Sequence, residues 1–281
     1  MKDKLDQYID SVRHLPPAPD VMVQLIALFK QPDHDIDQVV HLISHDPSLT
    51  AEMLKRCNSS FFGGDEPAAN MFEAVLRLGF YEAYRIVLAM SSLQAMSLPE
   101  INSVLSVEAL WQHSAATAAV AGLVAGRMHE SEGVAFTAGL LHDVGKIIFA
   151  SQEGEGYCRL MRSAEASGLS LDEAEKEAYG FDHGEVGARL LTRWGLTSDI
   201  VLPVGHHHHL AGAEPCARLA ATVNLADGMA HCLDESPSAA PVISPRNAEA
   251  MAVLQLAPED LPALWQQAQE AIQQARGLMP V

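Results

Sequence analysis

Apolar residues recur at helical spacing along almost the whole chain, and no segment alternates with the period of two that a half-buried strand requires. That feature commits the fold to packed helices. Leu5, Ile9 and Val12 predict a short first helix, which Pro16, Pro17 and Pro19 then break. Val21, Leu25 and Leu28 mark a second. Asp35 with Gln38 has capping-box spacing ahead of the apolar run Val39–Ile43. Asp46-Pro47 sets an N-cap acid before a proline suited to the first turn, in a helix that should reach Asn58. Gly63-Gly64 predicts a loop. Asn70 and Glu73 open a helix ending near Gly79, and Tyr81–Met96 follows. Composition agrees, since Ala and Leu dominate and aromatics are only 6%.

A break at Ser97–Asn102, with Pro99 inside it, divides the chain into a helical lobe at 1–98 and a second at 99–233. The second lobe should hold helices over Val107–His129, Gly133–Asp143, Asp182–Trp194, Asp199–His208 and Ala217–His231. Residues Asp234–Asn247 are rich in Ser, Pro and Ala and read as a linker. A terminal helix at about Glu259–Arg276, with Leu261, Leu264 and Ile272 on its apolar face, completes 234–281. The expected fold class is all-α, in two lobes.

The formal charge is −18, from 36 acidic and 18 basic residues. Such a surface repels nucleic-acid phosphates and anionic lipid heads, so neither nucleic acid nor membrane is an expected partner. A small phosphorylated ligand held at a local positive site remains compatible with it. Cys57, Cys158, Cys216 and Cys232 are scattered without a CxxC pair, which fits free thiols in a reducing compartment and excludes a zinc ribbon. The N-terminus MKDKLDQYID is charged and amphipathic, unlike a signal peptide, and no apolar run approaches the roughly 18 residues of a span. A cytoplasmic protein is expected.

The chemistry concentrates in the second lobe. His142-Asp143 ends an apolar helix within LLHDVGK, where an ionisable pair is costly to bury unless paired or bound to metal. His113 sits among small Ala residues on the preceding helix. Asp227 interrupts the apolar string TVNLADGMA. His183 opens a capped helix, and His206 to His209 follow IVLPVG. Taken singly, each has an ordinary structural explanation as a polar helix end, a satisfied core group or a solvated tract. Together they form an imidazole and carboxylate set, which suits Fe, Mn, Zn or Ni better than Mg or Ca.

The ordered series His113, His142-Asp143, Asp227 resembles the metal signature of the HD superfamily of phosphohydrolases. His183 in DHGEVGARLL, with His207 and His208, resembles the additional ligands of the HD-GYP subgroup. The resemblance implies one ion at His113, His142, Asp143 and Asp227. Asp143 would bridge to a second ion at His183, His207 and His208, and Lys146 would contact phosphate. The Gly-Tyr-Pro element is absent from GHHHHLAGAEP, so hydrolysis of cyclic-di-GMP is not expected. A second resemblance covers roughly residues 8–230. LPPAP at Leu15–Pro19, ISHDPSLTAEMLKRCNSSFFG at Ile43–Gly63, AVLRLGF at Ala74–Phe80 and RWGLTSDI around Trp194 look like the HDOD domain, a helical module of bacterial signalling.

Two functions follow from these resemblances. One is a signal-transduction module with a mono- or dinuclear metal site and a signalling protein partner. The alternative is a metal-dependent phosphohydrolase or phosphodiesterase acting on a small nucleotide or phosphoester, with Asp143 and Lys146 in catalysis. Assembly into an oligomer is compatible with either.

Overall fold

The computed structural model describes residues 3–12, 19–31, 35–58, 68–96, 101, 103–235 and 244–276. All regular structure among them is helical. In chain order the helices are α1 Lys4–Ser11, α2 Asp20–Phe29, α3 Ile36–Ser44, α4 Pro47–Cys57, α5 Met71–Leu78, α6 Phe80–Met96, α7 Val107–Arg127, α8 Glu132–Leu141, α9 Val144–Glu153, α10 Glu155–Ser167, α11 Leu171–Tyr179, α12 His183–Arg193, α13 Ser198–Gly205, α14 Ala217–Glu235, α15 Pro245–Leu254 and α16 Leu261–Arg276. The expected break at Pro16-Pro17, the Gly63-Gly64 loop and most of the break at Ser97–Asn102 lie outside the described residues.

The chain divides into two compact units, residues 18–95 and residues 1–17 together with 96–277. In the smaller unit the predicted caps are formed. Asp35 accepts from the Asp37 N–H, Asp46 from Ser48 and Leu49, and Asn70 from Glu73. Met22, Leu25, Val39, Ile43, Met53 and Val75 are buried. Phe29 stacks on Phe80 and Tyr84.

In the larger unit α7 is the central element, packed against α8, α14 and α16. Its inner faces are Ala-rich, and Ala116, Val120, Val124, Ala221, Leu225, Leu264, Trp265 and Ile272 share one core. Small residues set the spacing. A Cβ at Gly139 of α8 would lie 2.9 Å from the Ala118 Cα of α7. A Cβ at Gly145 of α9 would lie 1.9 Å from the His183 carbonyl oxygen, so α9 and α12 cross backbone to backbone only because glycine stands there. Helix α1 docks on the same unit, with Tyr8 against Phe149 and Phe181 and with Asp3 and Asp6 paired to Arg189. One helical stretch among the described residues, Glu132–Glu153, has the length and hydropathy of a span, and 94% of its apolar window is buried in the fold. It is a core element.

The expected linker Asp234–Asn247 is helical at both of its described ends. Helix α14 continues to Glu235, and α15 begins at Pro245; the residues between lie outside those described. Ser244 caps α15, accepting from the Asn247 N–H at 3.1 Å, and Pro245 takes the first helical position. The Ser- and Pro-rich composition that suggested a linker thus includes a helix-start signal.

Replacing Gly145 with Ala puts a methyl into the His183 backbone, and a backbone partner cannot swing aside. Overpacking costs about 1–3 kcal/mol, and this site should lie at the upper end. Urea unfolding of Gly145→Ala measures it, and a midpoint equal to wild type would contradict the crossing.

Candidate metal centre

Five elements meet at one point in the larger unit. Helix α7 brings His113, and the α8–α9 junction brings His142 and Asp143. Helix α12 begins with His183, the turn after α13 carries His207 and His208, and α14 brings Asp227. Each arrives for a local reason. Asp143 occupies the N-cap position of α9. Asp182 caps α12 in a full capping box with Glu185, which fixes His183 in the first turn. Helix α13 ends at Gly205, so the His tract forms a turn and not the last helical residues that were expected.

The distances define a continuous cluster. His113 Nε2 lies 2.9 Å from Asp227 Oδ1, and His142 Nε2 lies 3.6 Å from that oxygen and 3.5 Å from Asp143 Oδ2. His183 Nε2 lies 3.2 Å from Asp143 Oδ1 and 2.8 Å from His208 Nε2. The His142 and His207 rings stand edge to face with centroids 5.1 Å apart. Lys146 donates to Asp143 Oδ2 at 2.6 Å. All eight sequence-selected side chains are therefore together. They resolve into sets of ligand atoms mutually within 4.8 Å: His113, His142 and Asp227; His142, Asp143 and His207; and His183, His207 and His208.

The ring orientations test whether a cation fits. His142 Nδ1 faces the Gly139 carbonyl at 2.7 Å, and His207 Nδ1 faces the Val204 carbonyl at 2.7 Å. A carbonyl only accepts, so each Nδ1 carries the proton and each Nε2 presents a lone pair to the cluster. Both Nε2 atoms are buried and have no hydrogen-bond partner. Two buried lone pairs aimed at carboxylates are unfavourable unless a cation lies between them. His183 is oriented in the same manner, its Nδ1 donating to Glu175 Oε2 at 2.6 Å. A carboxylate behind a ligating imidazole is the usual outer partner of a metal-bound histidine.

Electrostatics point the same way. Burial would raise the Asp143 carboxyl, but His142, Lys146 and His183 outweigh it and hold it well below the usual range. Burial acts likewise on Asp227 and is outweighed by the His113 hydrogen bond and by the nearby His142 and His231 rings. Burial pushes His183 down, yet the Glu175 carboxylate, helped by Asp143, lifts it to about 10. Burial, with His142 and His183 beside it, pushes His207 down to about 3, and burial with His207 and His183 pushes His208 well down. In the metal-free protein the His183 proton thus sits where Asp143 Oδ1 and His208 Nε2 converge.

Sequence reasoning missed Glu175 and His231. Glu175 is fully buried and also accepts from Tyr157 Oη at 2.6 Å. It falls on the helical face of Leu171, Ala174 and Ala178, an apolar register inside a charged string, and that register was its only signal. His231 lies four residues after Asp227 on α14, with Nε2 3.4 Å from Asp227 Oδ1. His209 points away from the cluster and reaches Asp172 at 3.2 Å.

Residues 15–210 match the HDOD domain model, and the chain belongs to the HDOD domain family. Among solved structures it is similar to an HDOD domain protein of unknown function from Geobacter sulfurreducens, 25% identical, with 99% of this chain and 98% of that one covered and a TM-score of 0.78. It is similar also to a "Putative phosphohydrolase" from Shewanella amazonensis SB2B, 25% identical, with 98% of each chain covered and a TM-score of 0.76. An uncharacterized protein of Treponema pallidum (strain Nichols) is 25% identical over 232 residues. The match takes in 81% of this chain but 44% of that protein, so the chain spans less than half the length of that relative.

The shifts set a pH profile for chelator-treated protein. His183 keeps its proton when folded up to about pH 10. An unfolded His loses it near pH 6.5, so this stabilisation is complete below about 6.5 and is lost toward 10. His207 stays neutral when folded until about pH 3. An unfolded His gains its proton below about 6.5, so stability also falls on the acid side. The melting temperature should peak near pH 6.5, and added transition metal should flatten the alkaline limb by replacing the His183 proton. A metal-free melting temperature that climbs from pH 7 to 9 would contradict this.

Proposed function

We propose that this chain is a regulatory HDOD module whose larger unit binds one or two divalent transition-metal ions, and that it acts through a signalling protein partner. The closure of the ligand cluster carries the reading. His142, Asp143 and His183 are each 1% exposed and His207 is 0% exposed. Structural metal sites are closed in this way, whereas catalytic ones keep a position open to substrate. Ligands would be His113, His142, Asp143 and Asp227 at one position and Asp143, His183, His207 and His208 at the other. Their donor chemistry selects Fe, Mn, Zn or Ni.

A second reading, a metal-dependent phosphohydrolase or phosphodiesterase for a small phosphoester or nucleotide, is supported by the complete ligand set and by Lys146. When bound, the ions would supply Lewis-acid charge to a phosphoryl oxygen. The Lys146 side chain is 15% exposed and that of Asp227 12%, so this edge is the less closed one. Lys146 would meet a phosphoryl oxygen by leaving Asp143 Oδ2, which frees that oxygen in turn.

Elemental analysis of protein purified without added metal tests the first reading, together with melts with and without chelator. Ions that bind only the folded state stabilise it by about 2.7 kcal/mol at a hundredfold excess over Kd. Asp143→Ala should abolish most of that, and Asp227→Ala should empty one position. Metal-free wild type whose melting is unchanged on metal addition would end the reading. Steady hydrolysis of cyclic-di-GMP by Mn- or Fe-loaded protein at about 10 per second would promote the enzyme instead.

A further inference from the structure

The start of α15 is wired to the His turn by two consecutive residues. Arg246 donates to Asp172 Oδ1 at 2.8 Å and to Ser170 Oγ at 3.1 Å on α11. Asp172 is 2% exposed, and its other oxygen lies 3.2 Å from His209 Nε2. One turn further along the same helix stands Glu175, which orients His183. Asn247 takes the other route. Its Nδ2 lies 3.2 Å from the Asn224 carbonyl and 3.4 Å from Asn224 Oδ1 on α14. That contact fixes which way the Asn224 amide points, and Asn224 Nδ2 then donates to the His207 carbonyl at 2.6 Å.

The packing requires this arrangement. A Cβ at Gly228 would lie 2.4 Å from Asn247 Nδ2, so the Asn247 amide rests directly on the α14 backbone one residue from Asp227. Ser244 Oγ holds Asn247 Oδ1 at 2.8 Å from the other side. The turn presenting His207 and His208 is thus tied through its His207 carbonyl by way of Asn247, and more loosely by way of Arg246 through its His209 ring, which lies 3.2 Å from Asp172 Oδ2 without a hydrogen bond.

We propose that Arg246 and Asn247 are positioning residues for the metal position formed by His183, His207 and His208, coupling the C-terminal helical segment to ion affinity there. The proposal rests on the metal-centre reading above. Neither residue touches an ion; each sets the backbone or outer partner of residues that would. Releasing either tie frees the turn that carries two imidazoles of one position, whereas His113 and Asp227 are held by the long helices α7 and α14.

Co(II) titration of the full chain tests it, with the visible absorption of bound Co(II) as the geometric readout and His183→Ala marking which ion belongs to this position. Asn247→Ala and Arg246→Ala should each weaken that ion by about 10-fold or more and alter its spectrum, as loss of an outer partner does. Arg246→Lys, which keeps a charge opposite Asp172, should recover part of the affinity. Leu254→Ala, at a buried core position of the same helix, should lower the melting temperature and leave the Co(II) spectrum as in wild type. If wild type takes up no Co(II), the metal reading and this proposal fall together. If wild type loads normally and the two α15 variants match it in affinity and spectrum, or if Leu254→Ala shifts the spectrum equally, the proposal alone is overturned.

Discussion

Asp143 is a buried carboxylate with one oxygen toward Lys146 and the other toward His183. Transferring an isolated carboxylate to a protein interior is prohibitive, so everything around this residue must answer its charge. Lys146 answers it from one turn along α9, and the His183 proton answers it from α12. Glu175 in turn stabilises that proton from α11. The chain of dependence Glu175–His183–Asp143–Lys146 runs through three helices and fixes their mutual register. A divalent cation would take the place of one proton and add charge to a cluster of three carboxylates, Asp143, Asp227 and Glu175. Any metal affinity would therefore draw on the same interactions as folding stability.

The backbone geometry that permits this cluster comes from small residues. Gly139 lets α8 close on α7, and Gly145 lets α9 lie against the first turn of α12. With any larger side chain at Gly145, His183 and Asp143 would be pushed apart along with their helices. The Ala-rich face of α7 has the same effect, bringing His113 close enough for Asp227 of α14 to reach it. A centre built from five converging elements needs close interhelical approach, which bulky side chains would prevent.

The helical class and several helix starts were legible because they are local. Asp35, Asp46, Asn70 and Asp182 each cap as their spacing predicts. The gathering of the His and Asp residues at the site was legible only from the set as a whole, since each alone has an ordinary structural explanation. Helices α10 and α11 were not, because their apolar positions are interleaved with charged residues. Glu175 was hidden for that reason. The attachment of α1 was invisible too, since Tyr8–Phe149 and Arg189–Asp6 contacts join residues far apart in sequence. The expected linker Asp234–Asn247 is helical at its described ends, because Ser244-Pro245 is a helix-start pair as well as a loop composition, and the Asn247 N–H to Ser244 contact makes it the former.

The two proposed metal positions differ in what holds them. At the first, His113 and Asp227 are carried by the long helices α7 and α14, whose register is set by an extended apolar core. Moving either residue means moving a helix. At the second, His207 and His208 sit on a turn, where the backbone has no ladder of its own to restrain it. Rigidity there must come from side-chain ties, and those present lead to α11, α14 and α15. Local opening free energy follows buried apolar contact, so the turn belongs to the less stable part of this unit and the α7–α14 pair to the more stable part. An ion at the first position would be governed by global unfolding and one at the second by local motion of the turn. If ions bind as proposed, that asymmetry would make the His207–His208 position the one whose occupancy a conformational signal changes without unfolding the protein.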